Sequence, residues 1–423
     1  MEELYPGVSR ARLPGGLSVL FEPRPDRPLA LGVWLRLGSR DDPAEQAGLA
    51  HFLEHMLFKG TARRSALQIS QAIDGLGGDI NAATSKEYTF FHVEVLPQHL
   101  ETALDVLADL VRRPLLAPEE IEREKGVVLS EIQAAHDMPQ ERVFELFMEK
   151  LWRDDHPLGR PIAGEEETVR ALSQTQLRQR FECLRPEALF LTAAGGVAPA
   201  ELLRVAGEKL GDLEACPAEF HREPPRPNAS GLYLEEKETQ QVHLCLGLPA
   251  LARGDERRWA LEVLSTVLGG GMSSRLFTRI REQLGLAYAV SSGSSYFQDG
   301  GLLLIYLGTE PGKARQAAEV SREELQRLER EPISPEELRL AKQKMTGNML
   351  LGLESSHARM MRLGGSEIYR QHLPLEQVIA RLEAVSSEQV QALARQLLGE
   401  QPLTLAAVGP AAGLKTLEGL LDA

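Results

Sequence analysis

Within LAHFLEHMLFKG (49–60), His51 and His55 stand four positions apart in an otherwise apolar run, with Glu54 just before the second histidine. On an α-helix, residues i and i+4 project from one face, so both imidazoles can reach one cation, and Glu54 lies beside them. A hydrolytic zinc site needs three protein ligands, an open position for water and a general base within reach of that water. This segment offers two ligands and a base. The third ligand is sought in EREKGVVLSEIQ (122–133), where Glu124 and Glu131 are two helical turns apart and share a face. Glu131 completes a His2Glu set, and Glu124 is placed to hydrogen-bond a ligating imidazole.

The elements that must carry these residues can be read from pattern. Asp42-Pro43-Ala44-Glu45 reads as the start of the first motif's helix, and Gly60 as its stop. Before it, LSVLFEP (17–23) and LALGVWLRLG (29–38) read as strands. After it come a helical SALQISQAIDGLG, strand-like GGDINAATS and YTFFHVEVL, and two longer helices, HLETALDVLADLVRR and PEEIEREKGVVLSEIQAAH. TVRALSQTQLRQRF then reads as one helix, and ALFLTAAGGV as a strand.

The second half repeats this order. PEELRLAKQKM (335–345) matches PEEIEREKGVV (118–128), and the segment ending in PLTLAAVG matches the one ending in LFLTAAGG. The expectation is an α+β protein of two homologous domains, residues 1–215 and 232–423, each a mostly antiparallel sheet packed with helices. The Pro-rich 216–231 is the linker between them. The duplication also serves as a control. Where the first half has its histidines and Glu131, the second has LSTVL (264–268) and Asn348, so the fold itself does not require those ligands.

Composition narrows the function. The 423 residues are 43% hydrophobic and 26% charged, as in an ordinary soluble protein, and the net charge of −14 argues against a nucleic-acid partner. The three cysteines, Cys183, Cys216 and Cys245, form no CxxC pair, which points away from disulfides and thiolate metal sites. An acidic N-terminus without a signal-peptide pattern, and no apolar run near the ~20 residues a membrane span needs, predict a cytoplasmic chain with no membrane partner. GGGMSSR lacks the GK[ST] ending of a phosphate loop. The other histidines, including His92, His99, His136, His156, His221, His243, His357 and His372, have no such companions and read as surface or core residues.

GLAHFLEHMLFKGT, EKGVVLSEI and GGGMSSRLFTRIREQLGLAYAV (269–290) together resemble the insulinase/pitrilysin/mitochondrial-processing-peptidase family of zinc peptidases with the inverted HxxEH motif, over essentially the whole chain. The resemblance implies one zinc ion per chain, held by His51, His55 and Glu131. It makes Glu54 the base that takes a proton from the attacking water and later passes one to the leaving amine, with Glu124 supporting the site. The small residues of GGDINAATS leave a strand edge open to an added substrate strand. In the family the matching segment is that edge, which makes Asn81, Ala82 and Ala83 the substrate-contact candidates. Arg281 and Tyr288 match a pair that binds substrate or stabilises the oxyanion. Two domains would form half of a clamp, so a homodimer or a heterodimer with a related chain is implied. The expected function is an endopeptidase cleaving short unfolded peptides inside a closed chamber. A catalytically silent or accessory scaffold subunit is the alternative, disfavoured because no motif residue is missing. Lyases that share HxxEH are much shorter.

Overall fold

A computed structural model describes residues 1–182, 188–213 and 222–421. Cys183, Cys216, His221 and the first part of the expected linker, 216–221, lie outside the described residues. Two compact units result. Unit 1 comprises Met1–Ile132, Pro161–Arg222 and Leu350–Pro374, and unit 2 comprises Gln133–Arg160, Glu223–Met349 and Leu375–Ala423.

The strands are β1 (Glu2–Tyr5), β2 (Val8–Arg12), β3 (Ser18–Pro23), β4 (Leu29–Leu35), β5 (Asp79–Thr84), β6 (Thr89–Val95), β7 (Leu189–Gly195), β8 (Gly231–Glu236), β9 (Val242–Ala250), β10 (Ala287–Tyr296), β11 (Gly301–Thr309) and β12 (Thr404–Gly409). The helices are α1 (Leu49–Leu57), α2 (Ala66–Asp74), α3 (Leu100–Arg112), α4 (Pro118–Asp137), α5 (Pro139–Leu151), α6 (Glu166–Ala171), α7 (Gln174–Glu182), α8 (Pro199–Leu210), α9 (Arg258–Gly269), α10 (Ala314–Arg330), α11 (Pro335–Gly352), α12 (Ser356–Ile368), α13 (Leu375–Glu383), α14 (Ser387–Glu400) and α15 (Ala411–Leu414). None of these helices is long and apolar enough to cross a membrane.

Unit 1 holds a sheet ordered β1-β2-β3-β7-β4-β6-β5, antiparallel except for β3 beside β7. Unit 2 holds β10-β11-β9-β12-β8, antiparallel except for β8 beside β12. Without the β1–β2 hairpin, the two sheets have the same order and the same senses. The duplication read from the sequence is therefore a repeat of topology. β4 is buried along its whole length, which is why LALGVWL is apolar without alternation.

The units are not contiguous halves of the chain. Met138 ends one helix and Pro139, at the first turn of α5, starts another, whose apolar face (Val143, Phe147, Leu151) packs on Cys245, Leu302, Ala406 and Val408 of unit 2. In return, α12 seats Met360 against Leu20, Ala30, Trp34, Phe90 and Phe190 of unit 1. The approach is close enough that a Cβ on Gly364 would fall 2.0 Å from the Trp34 ring. A buried ionic clasp fixes the end of α12. Glu367 meets Arg36 (2.5 Å), Arg10 and His372 (2.9 Å).

The helix carrying the first motif starts later than the sequence predicts. Residues 39–41 and 44–46 form single tight turns, and α1 begins at Leu49 after Gly48, whose φ is +94°. A side chain on Gly48 would also collide with the Ala163 carbonyl, at 2.4 Å. Asp42 still serves this helix end, but from a distance in sequence. Its Oδ2 accepts from the Ala50 N–H at 3.1 Å, while Arg180 holds Oδ1 at 2.6 Å. Gly60, at φ +123°, follows the helix as expected.

Candidate functional site

α1 buries Leu49, Phe52, Leu53, Met56 and Leu57 in the unit 1 core. The same 3.6-residue period leaves His51, Glu54 and His55 on the half-buried side. α4 buries Ile121, Glu124, Val128 and Ile132, so Glu124 sits on an apolar stripe, while Glu131 is about half exposed.

The two helices bring the expected residues together. Glu131 Oε2 lies 3.9 Å from His51 Nε2 and 3.5 Å from His55 Nε2. One donor atom from each of the three lies within 4.8 Å of the other two. Ligands at about 2.05 Å from a tetrahedral zinc are separated by about 3.4 Å, so Glu131 stands within about half an ångström of that spacing to each imidazole. The donors are two imidazole nitrogens and a carboxylate oxygen, a set that suits zinc. Burial, and to a lesser degree the neighbouring His55, pull the His51 pKa down to about 4. His51 is thus neutral at physiological pH, the form a metal requires.

Glu124 lies in contact with His55. Its Oε1 is 2.8 Å from His55 Nδ1, and its Oε2 is 2.7 Å from the Lys59 ammonium. That lysine was not anticipated. It follows His51 and His55 at the same four-residue interval, and that spacing was the available signal.

Glu54 is held by the end of β5. Thr84 donates its hydroxyl to Glu54 Oε2 at 2.8 Å, and its backbone N–H also reaches the carboxylate. Burial raises the Glu54 pKa, with the Thr84 hydroxyl and His55 opposing and Glu131 adding to the rise. A carboxyl shifted upward is better matched to proton transfer near neutrality. Thr84 is a second contact missed by the sequence reading, although it directly follows the Asn81-Ala82-Ala83 segment.

That segment forms part of β5, an edge strand of its sheet. Ser85 N donates to Tyr88 O at 2.7 Å, and the unbroken register from there turns the main-chain groups of Ile80, Ala82 and Thr84 to the open side. The Ala82 N–H is taken by the Asn81 side chain at 2.8 Å.

In unit 2, Arg281 and Tyr288 do meet. The guanidinium lies over the tyrosine ring at 5.2 Å and over Phe277 at 4.9 Å, and the Tyr288 side chain is exposed. The positions equivalent to the histidines, Leu264 and Leu268, are core residues of α9. A cavity of about 450 Å³ in unit 2, bordered by Trp259, Arg381, Val385 and Gln396, includes none of the predicted site residues.

Two histidines read from sequence as isolated have company. His92 and His357 come together with Glu94 in unit 1. Neither periodicity nor spacing could pair a strand residue with one on a helix from the second half of the chain.

Residues 18–166 match the family model described as insulinase (peptidase family M16), and residues 173–345 match the one described as peptidase M16 inactive domain. The chain is 41% identical over 421 residues to an uncharacterized zinc protease of Mycobacterium leprae, covering 97% of this chain and 94% of that protein. It is 39% identical over 410 residues to one of Bacillus subtilis, covering 96% and 99%. Among solved structures, a protease from Helicobacter pylori superposes with a TM-score of 0.91 at 20% identity, covering 96% and 100% of the two chains. A structure described as a peptidase M16 inactive domain from Pseudomonas fluorescens gives 0.88 at 24% identity, covering 96% and 98%.

Proposed function

The chain belongs to the insulinase family, peptidase family M16, and from that premise we propose that it is a zinc-dependent endopeptidase acting on short, unfolded peptides. The observation that carries this reading is the convergence of His51, His55 and Glu131 beside a raised-pKa Glu54. Those three residues would hold the ion. A zinc ion bound there supplies Lewis acidity, polarising a carbonyl and lowering the pKa of water that reaches it.

The other roles fall to the chain's own groups. Glu54 takes the proton of the attacking water and returns it to the leaving amine nitrogen. Thr84 fixes the rotamer of Glu54 through its hydroxyl and N–H. Glu124 accepts from His55 Nδ1, which turns Nε2 toward Glu131. The peptide adds to β5 as an extra strand. Its main chain takes over the Ala82 N–H that Asn81 holds, and the small Ala83 leaves room for its side chains. Because Thr84 ends that strand and touches Glu54, a peptide laid along β5 is delivered to the base. Arg281 and Tyr288, stacked on each other, contribute donors to the substrate or to the oxyanion. Two domains are half of the clamp this family builds, so the reading includes a dimer, of identical or related chains, enclosing a chamber.

The test is a digest of an unstructured peptide and of a stably folded domain containing the same sequence, with and without a chelator. Cleavage of the free peptide alone, lost on chelation and restored by zinc, is expected. Equal rates on both substrates, or hydrolysis indifferent to chelation, would overturn the proposal.

A further inference from the structure

A second group of metal-ligating side chains lies in unit 1. His92 and Glu94 are two positions apart on β6 and therefore project from the same face of the sheet. Phe90 shares that face, and α12 packs on it through Met360. His357, one turn before Met360, brings its Nδ1 to 2.9 Å from Glu94 Oε1 and its ring edge-on to His92, with centroids 4.7 Å apart. One donor atom from each of the three lies within 4.8 Å of the other two.

An ordinary core histidine satisfies its ring nitrogens with protein partners. Here His92 is 9% exposed, and its buried Nδ1 has no hydrogen-bond partner. His357 Nδ1 is also buried, and its approach to Glu94 is not aligned as a hydrogen bond. The strand register places Asn81 opposite His92 and Asp79 opposite Glu94 on β5, within cross-strand reach of the cluster.

We propose that His92, Glu94 and His357 form a second divalent-metal site, distinct from the His51 set, that takes zinc or a similar transition ion and pins α12 to the sheet. Two imidazole nitrogens and one carboxylate oxygen favour zinc, cobalt or nickel over the oxygen-seeking magnesium and calcium. The 2.9 Å gap between Glu94 and His357 opens by about half an ångström to reach the spacing of tetrahedral ligands. With Glu94 and His357 partly exposed, the ion can enter from solvent.

The experiment uses the full chain carrying His51→Ala and His55→Ala, so that the first set binds nothing and no peptidase activity is needed for the readout. After chelation and dialysis against zinc, close to one equivalent per chain is expected, with a matching cobalt absorption spectrum and a Tm raised by the metal. Adding His92→Ala or His357→Ala should weaken zinc binding at least about 100-fold. Glu94→Gln keeps side-chain volume and the docking of α12, and should weaken binding as well. Failure of the His51/His55 double variant to bind zinc, or unchanged binding when His92, Glu94 or His357 is replaced, would overturn the proposal.

Discussion

Glu124 offers a way to measure how the zinc site is oriented. It is 2% exposed, and its two oxygens face His55 Nδ1 at 2.8 Å and the Lys59 ammonium at 2.7 Å. A hydrogen bond with an ionised partner contributes about 1.5–3 kcal/mol, and its neutral counterpart roughly half of that. In Glu124→Gln the amide oxygen still accepts from His55 Nδ1, so about 1–1.5 kcal/mol of orientation is lost. That corresponds to about a tenfold weaker zinc affinity. Glu124→Ala removes the contact entirely, and the loss should approach about 100-fold. Lys59 is about one-third exposed and can turn to water in either variant, so stability should fall less than metal binding. Competition titration against a chromophoric chelator at fixed pH reads the affinity, and kcat/KM at saturating zinc reads what remains of catalysis. The graded order wild type, Gln, Ala is the signature of a positioning role, because the isosteric amide would fully replace a merely space-filling residue and leave no difference between wild type and Gln. Wild-type zinc affinity in Glu124→Ala would refute the reasoning.

Other outcomes follow from the same contacts. Glu54→Gln should keep its zinc and lose hydrolysis by about 10²–10⁴-fold, measured by metal analysis and turnover on one preparation, and an active variant would remove Glu54 from the mechanism. Glu131→Ala should lower zinc content in a stoichiometric assay, whereas full occupancy would mean that the third ligand lies elsewhere. Burial alone would raise the Glu367 pKa, but His372, Arg36 and Arg10 outweigh it and hold it at about 2, against 4.5 for the unperturbed group. The folded-state value is depressed, so this stabilisation is present above 4.5 and is lost as pH falls toward 2, at most about 3 kcal/mol. Urea unfolding across that window should show the loss in the wild type and a flatter profile in Glu367→Gln; identical slopes would count against the clasp.

What the sequence disclosed and what it withheld differ for physical reasons. β4 and the helix of His51 were legible because burial imposes a strong apolar pattern. Helical spacing made legible that Glu124 and Glu131 share one face of α4, but where that face meets the helix of His51 is a matter of tertiary docking that spacing does not carry. The β1–β2 hairpin was missed because EELY and VSRAR are mostly half-buried or exposed, and their mixed polar residues carry no apolar alternation. The single helix expected over TVRALSQTQLRQRF breaks at Leu172–Ser173, where Ser173 and Gln176 form a cap whose S-x-x-Q pattern was in view. Asp42 was read as the N-cap of the helix of His51, but the helix starts at Leu49 and Asp42 reaches it only through the fold-back that Gly48 permits. The pairing of His92 with His357 depends on where α12 docks, and local pattern carries no information about that.

The exchange of α5 and α12 between the units has a consequence for synthesis. When the ribosome has made the first two hundred residues, the surface containing Trp34, Phe90 and Phe190 still lacks its cover, because Met360 has yet to be translated. Expressing the first half by itself would leave that aromatic face bare to water and prone to stick to other chains. A gene cut at the apparent midpoint would therefore yield two incomplete fragments, each holding a helix that the other needs.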